Sequence, residues 1–147
     1  MGSPSRTENG GMSLINPKDF FDHIRTNLYH GYMEQTEVNG TNEILSEWDQ
    51  IDPKADARFV ACALGQVYHE TGCAMQPLEE WGKGKGRPYG VPDVVTGQIY
   101  FGRGYVQLTW KYNYQRADME LQKSGVLAPD QSLVADPRLA LDPKLAA

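Results

Sequence analysis

Phe59-Val60-Ala61-Cys62-Ala63-Leu64-Gly65-Gln66-Val67-Tyr68-His69-Glu70-Thr71-Gly72 is the stretch on which the fold turns. Phe59, Val60, Ala63, Leu64 and Val67 recur at the three-to-four-residue spacing of one helical face, and Gly72 marks where that helix should stop. Glu70 is then a carboxylate at a helix C-terminus. It faces the negative end of the helix dipole, which disfavours its charged form. Nine positions on stands the pair Glu79-Glu80, on a loop rich in glycine and proline. One carboxyl held protonated across a cleft from another left ionised is the pairing that glycoside hydrolysis requires.

Outward from this stretch the chain reads as a series of helices. Asn16-Pro17 combines an N-cap with a first-turn proline and opens a helix with Phe20, Phe21, Ile24 and Leu28 on one face, fading near Gly31. A second helix is predicted over Glu34 to Asp49, with Ile44, Leu45 and Trp48 as its buried side and Gly40 as its weak point. Asp52-Pro53 repeats the cap-plus-proline signal and opens the helix that ends at Glu70 or Thr71. Between Gly72 and Gln98, Gly82, Gly84, Gly86, Pro88, Gly90, Pro92 and Gly97 punctuate a long connection, of the kind that is usually functional or mobile in a compact domain. Ile99 to Phe101 can form a short strand, Gly102-Arg103-Gly104 a tight turn, and Thr109 to Gln122 a helix. Residues 128–137 read as loop, and Asp142-Pro143 starts a further helix that five residues are too few to stabilise alone. The fold class is mainly α, with at most a small β-hairpin.

The 147 residues carry a net charge of -5, with 40% hydrophobic and 22% charged side chains, the composition of a globular domain with a real core. Residues 1–11 are Ser/Gly-rich and aperiodic and read as a leader or disordered tail outside the fold. Residues 12–147 are then a single domain, cut before its C-terminal end. No apolar run is long enough to span a membrane, and no secretory segment follows Met1 or Met12. Synthesis in the cytoplasm is therefore expected, as is a monomer with no membrane insertion. The acidic balance argues against a nucleic-acid partner.

Cys62 and Cys73 are too few for a disulfide-stapled scaffold. An unbroken helix would hold them ~16 Å apart, too far to bridge, so free thiols, one of them buried, are expected. His69-Glu70 begins like the zinc-protease pattern H-E-x-x-H, but Cys73 takes the place of the second histidine. Gly72 should also end the helix before Cys73 could join Cys62 and His69 on one face, so no metal site is expected. Gly82-Lys83-Gly84-Lys85-Gly86-Arg87 lacks the phosphate-loop spacing and has no clear strand before it. It is either a flexible basic loop contacting substrate at a cleft edge or a solvated surface loop. The segment from Tyr100 to Tyr114 mixes aromatics with amide, hydroxyl and guanidinium groups, which suits the C–H faces and hydroxyl edges of sugars, or forms an aromatic core around a hairpin.

Together these residues resemble glycoside hydrolase family 19, which comprises chitinases and bacterial or phage endolysins of the lysozyme-like superfamily. The resemblance is carried by His69-Glu70-Thr71, by Met75-Gln76-Pro77-Leu78-Glu79-Glu80, by Gly102-Arg103-Gly104-Tyr105-Val106-Gln107-Leu108-Thr109 within the stretch to Tyr114, and by the opening Ile15 to Phe21. It implies a lysozyme-like α-helical domain with a catalytic cleft. It further implies Glu70 as general acid, Glu79 as general base with Glu80 as the alternative, and Thr109 as a holder of the attacking water. Gln107, Tyr112 and Asn113 take positions that line sugar subsites, and His69, Thr71, Glu80 and Arg103 join them as substrate-binding candidates. The chemistry implied is inverting hydrolysis of β-1,4 bonds beside N-acetylated sugars without metal or organic cofactor. The polysaccharide would be peptidoglycan, with chitin as the alternative. A non-catalytic glycan-binding module, inactive through truncation, is the competing class. Relatives usually continue past this C-terminus through further helices. Lacking the signal peptide and disulfides of secreted plant chitinases, the chain fits the bacterial or phage branch, acting on cell wall or extracellular glycan after release.

Overall fold

The computed structural model describes residues 15–147 apart from 53 and 55. The expected leader over residues 1–11 and Pro53 lie outside the described residues. Helix α1 runs Pro17–Asn27, α2 Gln35–Ile51, α3 Ala57–Glu70, α4 Lys111–Ser124 and α5 Pro143–Ala146, with single 3-10 turns at Pro88–Gly90 and Pro137–Leu141. The sheet has two antiparallel strands of two residues each, β1 Leu78–Glu79 and β2 Arg103–Gly104. The fold is mainly α. No helix among the described residues is long and apolar enough to cross a membrane.

Local chemistry fixes the helix ends. Asn16 caps α1 through its side-chain oxygen, which accepts from the amides of Lys18 and Asp19. Glu34 and Glu37 form a reciprocal capping box at the start of α2. The third helix starts later than the cap-plus-proline reading had it. Asp56, not Asp52, is its N-cap and accepts from the Arg58 amide at 2.9 Å, while Asp52 closes α2 by donating its N–H to the Trp48 carbonyl.

Three clusters of buried side chains hold these elements. Ile44 of α2, Val67 of α3, Met75 and Tyr105 form one, with Tyr29, Leu64 and Ala146 against it. Leu45 and Val60 form the second, covered by Ile15, Phe20 and Trp48. Tyr100, Tyr114, Leu133 and Ala140 form the third, beneath α4. Full burial of each large apolar side chain contributes about 1.5–3 kcal/mol. Trp48 is only half-buried, and α1 buries no residue fully. The four-residue α5 persists because Asp142 caps it and Ala146 packs on the first cluster. Gly40 is no weak point in α2. A Cβ there would overlap the Met75 carbonyl oxygen, so the glycine lets the segment after α3 lie directly on the helix.

The β-ladder sits elsewhere than expected. Leu78 faces Gly104 and Glu79 faces Arg103, so Arg103 and Gly104 are strand rather than turn, and 99–101 lie outside it. The turn comes next: Arg103 and Leu108 exchange both backbone hydrogen bonds around 104–107, with Gln107 at φ 55°. Gly104 is needed for close approach as well as for its φ of 87°, because a Cβ there would lie 2.9 Å from the Ala140 carbonyl oxygen.

Candidate functional site

Glu70 is the last residue of α3, as the apolar spacing required. Its carboxylate accepts from the Gln66 amide at 2.8 Å and is otherwise exposed. The helix end beneath it is firmly tied. Tyr68 donates to the Leu28 carbonyl, and Tyr29 to that of Cys73. Gly72, Cys73 and Met75 all take positive φ to reverse the chain. His69 is exposed. Thr71, expected at the substrate, is instead 3% exposed and committed inward. Its hydroxyl donates to the Val67 carbonyl at 2.7 Å and accepts from the Met75 amide at 3.0 Å, so it shapes the turn that leads away from Glu70.

Glu79 stands on β1 between two cations. Its carboxylate meets Lys83 Nζ at 2.6 Å and Arg103 Nε at 3.4 Å, the latter an ion contact without hydrogen-bond alignment. The hydrogen bond from Lys83 is the largest influence, and with the nearby Arg103 charge it lowers the Glu79 pKa below the ordinary glutamate value against a partial desolvation penalty. Glu79 is half-buried and Glu70 exposed. Removing Lys83 as Lys83→Met is expected to raise the midpoint at which Glu79 takes up its proton. A carbon-13 titration following the Glu79 carboxyl carbon in both proteins reads this directly, and an unmoved midpoint would assign the depression elsewhere.

Arg103 corrects another expectation. It is a buried residue, not a group free to grip substrate. Its guanidinium lies 3.5 Å from the Phe101 ring centroid and donates to the Ile99 carbonyl and to the Tyr114 hydroxyl. It therefore holds Glu79 from below. Glu80 is equally committed, its two oxygens accepting from the Tyr89 hydroxyl at 2.9 Å and the Gly102 amide at 3.0 Å. Of the two neighbouring acids, Glu79 is the one not locked into backbone and tyrosine bonds.

The turn after β2 carries the remaining candidates. Gln107 spends its amide N–H groups on the Leu78 and Gly104 carbonyls, binding the hairpin to β1. Thr109 donates its hydroxyl proton to the Gln107 carbonyl at 2.7 Å, which leaves the oxygen lone pairs as acceptors. Asn113 reaches back to the Thr109 carbonyl at 2.8 Å. Glu79 pairs with Arg103, and Arg103 bridges Leu108, the residue before Thr109.

Sequence reasoning named Tyr112 and the aromatic run that holds Trp110 but missed Tyr89, which joins them in one aromatic shelf. Tyr89 meets Trp110 edge-on at 5.3 Å, and Trp110 stacks on Tyr112 at 6.3 Å. Trp110 is 40% exposed and Tyr112 63%. Trp110 was legible as aromatic, but its φ of 73°, which turns the chain into α4, was not. An apolar groove among the described residues has none of these acids in its lining. It measures about 270 Å³ and is lined by Phe20, Ile24, Leu64, Tyr68 and Met75 among others.

Two expectations about the thiols are settled by placement. Cys62 is exposed and Cys73 half-buried, so neither is buried, and both are free. Cys73 lies beyond the helix at φ 73°, off any face shared with Cys62 and His69.

Comparison with known proteins gives one weak similarity. The chain is 29% identical over 142 residues to an endochitinase of Arabidopsis thaliana, the match covering 84% of this chain and 48% of the relative. The chain thus spans about half the length of the curated relative it matches. No family model matches the chain, and no solved structure matches it significantly.

Proposed function

We propose that this chain hydrolyses β-1,4 bonds in a polymer of N-acetylated hexosamines by an inverting acid–base mechanism, with peptidoglycan as substrate. The observation that carries this proposal is Glu79. It is a carboxylate whose charged form Lys83 and Arg103 favour, on a strand nine residues after an exposed glutamate at a helix end. The weak similarity to an endochitinase supports the reaction class.

In this mechanism Glu70 gives its proton to the departing glycosidic oxygen. A water donates one hydrogen to Thr109 Oγ1 and the other to Glu79, which leaves an oxygen lone pair to attack the anomeric carbon from the opposite face. Glu79 takes the proton as the new bond forms, and the anomeric centre inverts. An inverting pair requires carboxyls roughly 6.5–9.5 Å apart, room for that water. Tyr89, Trp110 and Tyr112 offer apolar faces for sugar rings. The protein acts on a wall or extracellular glycan after release from the cell that makes it.

Digestion of purified peptidoglycan and of chitohexaose, followed by mass spectrometry and anomeric NMR, tests this. The expected first product has the α-anomeric configuration at the newly formed reducing end. A β-product would replace inversion by retention, and saturable binding without new reducing ends would make the chain a glycan-binding module.

A further inference from the structure

Between Trp81 and Pro92 the chain carries Lys83, Lys85 and Arg87 and no acid, in a protein whose net charge is -5. The segment is well organised rather than slack. Successive amides of Lys83, Lys85, Arg87 and Gly90 donate to the carbonyls of Glu80, Gly82, Gly84 and Arg87 at 2.9–3.0 Å. Gly82, Gly84 and Gly86 all take positive φ. The two limbs touch backbone to backbone, since a Cβ on Gly90 would overlap the Gly84 carbonyl oxygen. Both ends are fastened to Glu80, one through the Lys83 amide and the other through the Tyr89 hydroxyl.

The acids nearest in sequence are already occupied. Glu79 is held by Lys83 and Arg103, Glu80 by Tyr89 and Gly102, and Asp93 by Lys111 at 2.8 Å. Lys85 and Arg87 are exposed, and among the described residues neither has a carboxylate within ion-pair distance. Two uncompensated cations therefore stand on an ordered loop that follows Glu79 directly in the chain. Because the loop is ordered beforehand, its backbone loses little conformational freedom when an anion meets them, and only the two side chains have to be ordered.

We infer that Lys85 and Arg87 select a glycan bearing carboxylate groups along its length over a neutral chain of the same sugars. This rests on the glycan-hydrolase proposal above and adds to it the charge class of the substrate and the residues that read it. The neutral sugar rings fall to the aromatic shelf, and the pendant carboxylates to the loop.

The test is cosedimentation with peptidoglycan sacculi stripped of secondary polymers, and with the same sacculi after conversion of their carboxyls to amides. The proteins compared are the parent, K85Q/R87Q, and K123Q/K144Q as a control with the same loss of charge on α4 and α5. An exposed ion pair contributes modestly, so losing two should weaken binding of native sacculi by about tenfold. K85Q/R87Q is expected to show that loss on native sacculi only, amidation to impose a similar loss on the parent, and the control to bind as the parent does. Equal binding by parent and K85Q/R87Q, an equal loss in the control, or the same loss on amidated sacculi overturns the inference. So does failure of the parent to bind native sacculi. Binding of a DNA duplex that depends on these two cations while sacculus binding does not would transfer the loop to phosphate recognition and also overturn it. Cosedimentation needs no turnover, so cation-dependent binding without bond cleavage sinks the hydrolase alone.

Discussion

Glu70→Gln is expected to lower turnover of the glycan substrate by about 10²–10⁴-fold, the usual worth of a positioned general acid. The substitution keeps the side chain's shape and removes only its ability to donate a proton to the leaving oxygen. Glu70 is exposed and its single hydrogen bond comes from Gln66, so folding should be untouched. A thermal melt coinciding with the parent's, together with KM little changed, separates lost chemistry from lost binding. If kcat stayed within a few-fold of the parent, Glu70 would not be the acid. Thr109→Val should fall between these limits, since it removes one acceptor for water and leaves both carboxyls in place.

The second large effect concerns stability. Gly40→Ala should destabilise the protein by about 3 kcal/mol or more, at or beyond the upper end of ordinary overpacking, because the new methyl group would overlap the Met75 carbonyl oxygen. For a domain of this size that corresponds to a fall in Tm of roughly 10 °C. Gly65 supplies the internal comparison. It lies in α3 with nothing within 4 Å of where an added methyl group would sit, so Gly65→Ala should stabilise by about 0.5–1 kcal/mol through helix propensity alone. Opposite signs at two helical glycines would locate the contact between α2 and the 71–77 segment. A mild effect at Gly40 would mean that this segment can lift away from α2.

The difference between those glycines shows what the sequence discloses and what it conceals. Local signals were legible: the Asn16 cap, the end of α3 at Glu70, and the α-rich class all follow from spacing and side-chain chemistry within one turn. Non-local contacts were not. Gly40 looks like a helix defect until Met75 is seen against it, and Gly104 looks like a turn residue until Ala140 is. Two aspartates, Asp52 and Asp56, each satisfy the rules for a cap, and the proline after the first pointed to the wrong one. Arg103 resembles a substrate ligand because nothing near it in sequence announces the Phe101 ring, the Ile99 carbonyl and the Tyr114 hydroxyl that bury it. Thr71 could have been placed, since a hydroxyl at a helix end commonly bonds the carbonyl four residues back. Of the candidate site, the sequence disclosed that Glu70 ends a helix and that Glu79 and Glu80 follow it nine positions on. It did not disclose their neighbours, which decide what each acid can do.

The two cations on Glu79 differ in one respect that bears on how the protein behaves away from dilute buffer. The Lys83 side chain is 65% exposed and that of Arg103 is 7%. Dissolved ions reach the first more readily than the second, so added salt weakens the exposed contact more than the buried one. Brine should therefore loosen the hold of Lys83 first. What is left is the weaker contact with the buried Arg103, the part of the Glu79 environment that salinity should change least.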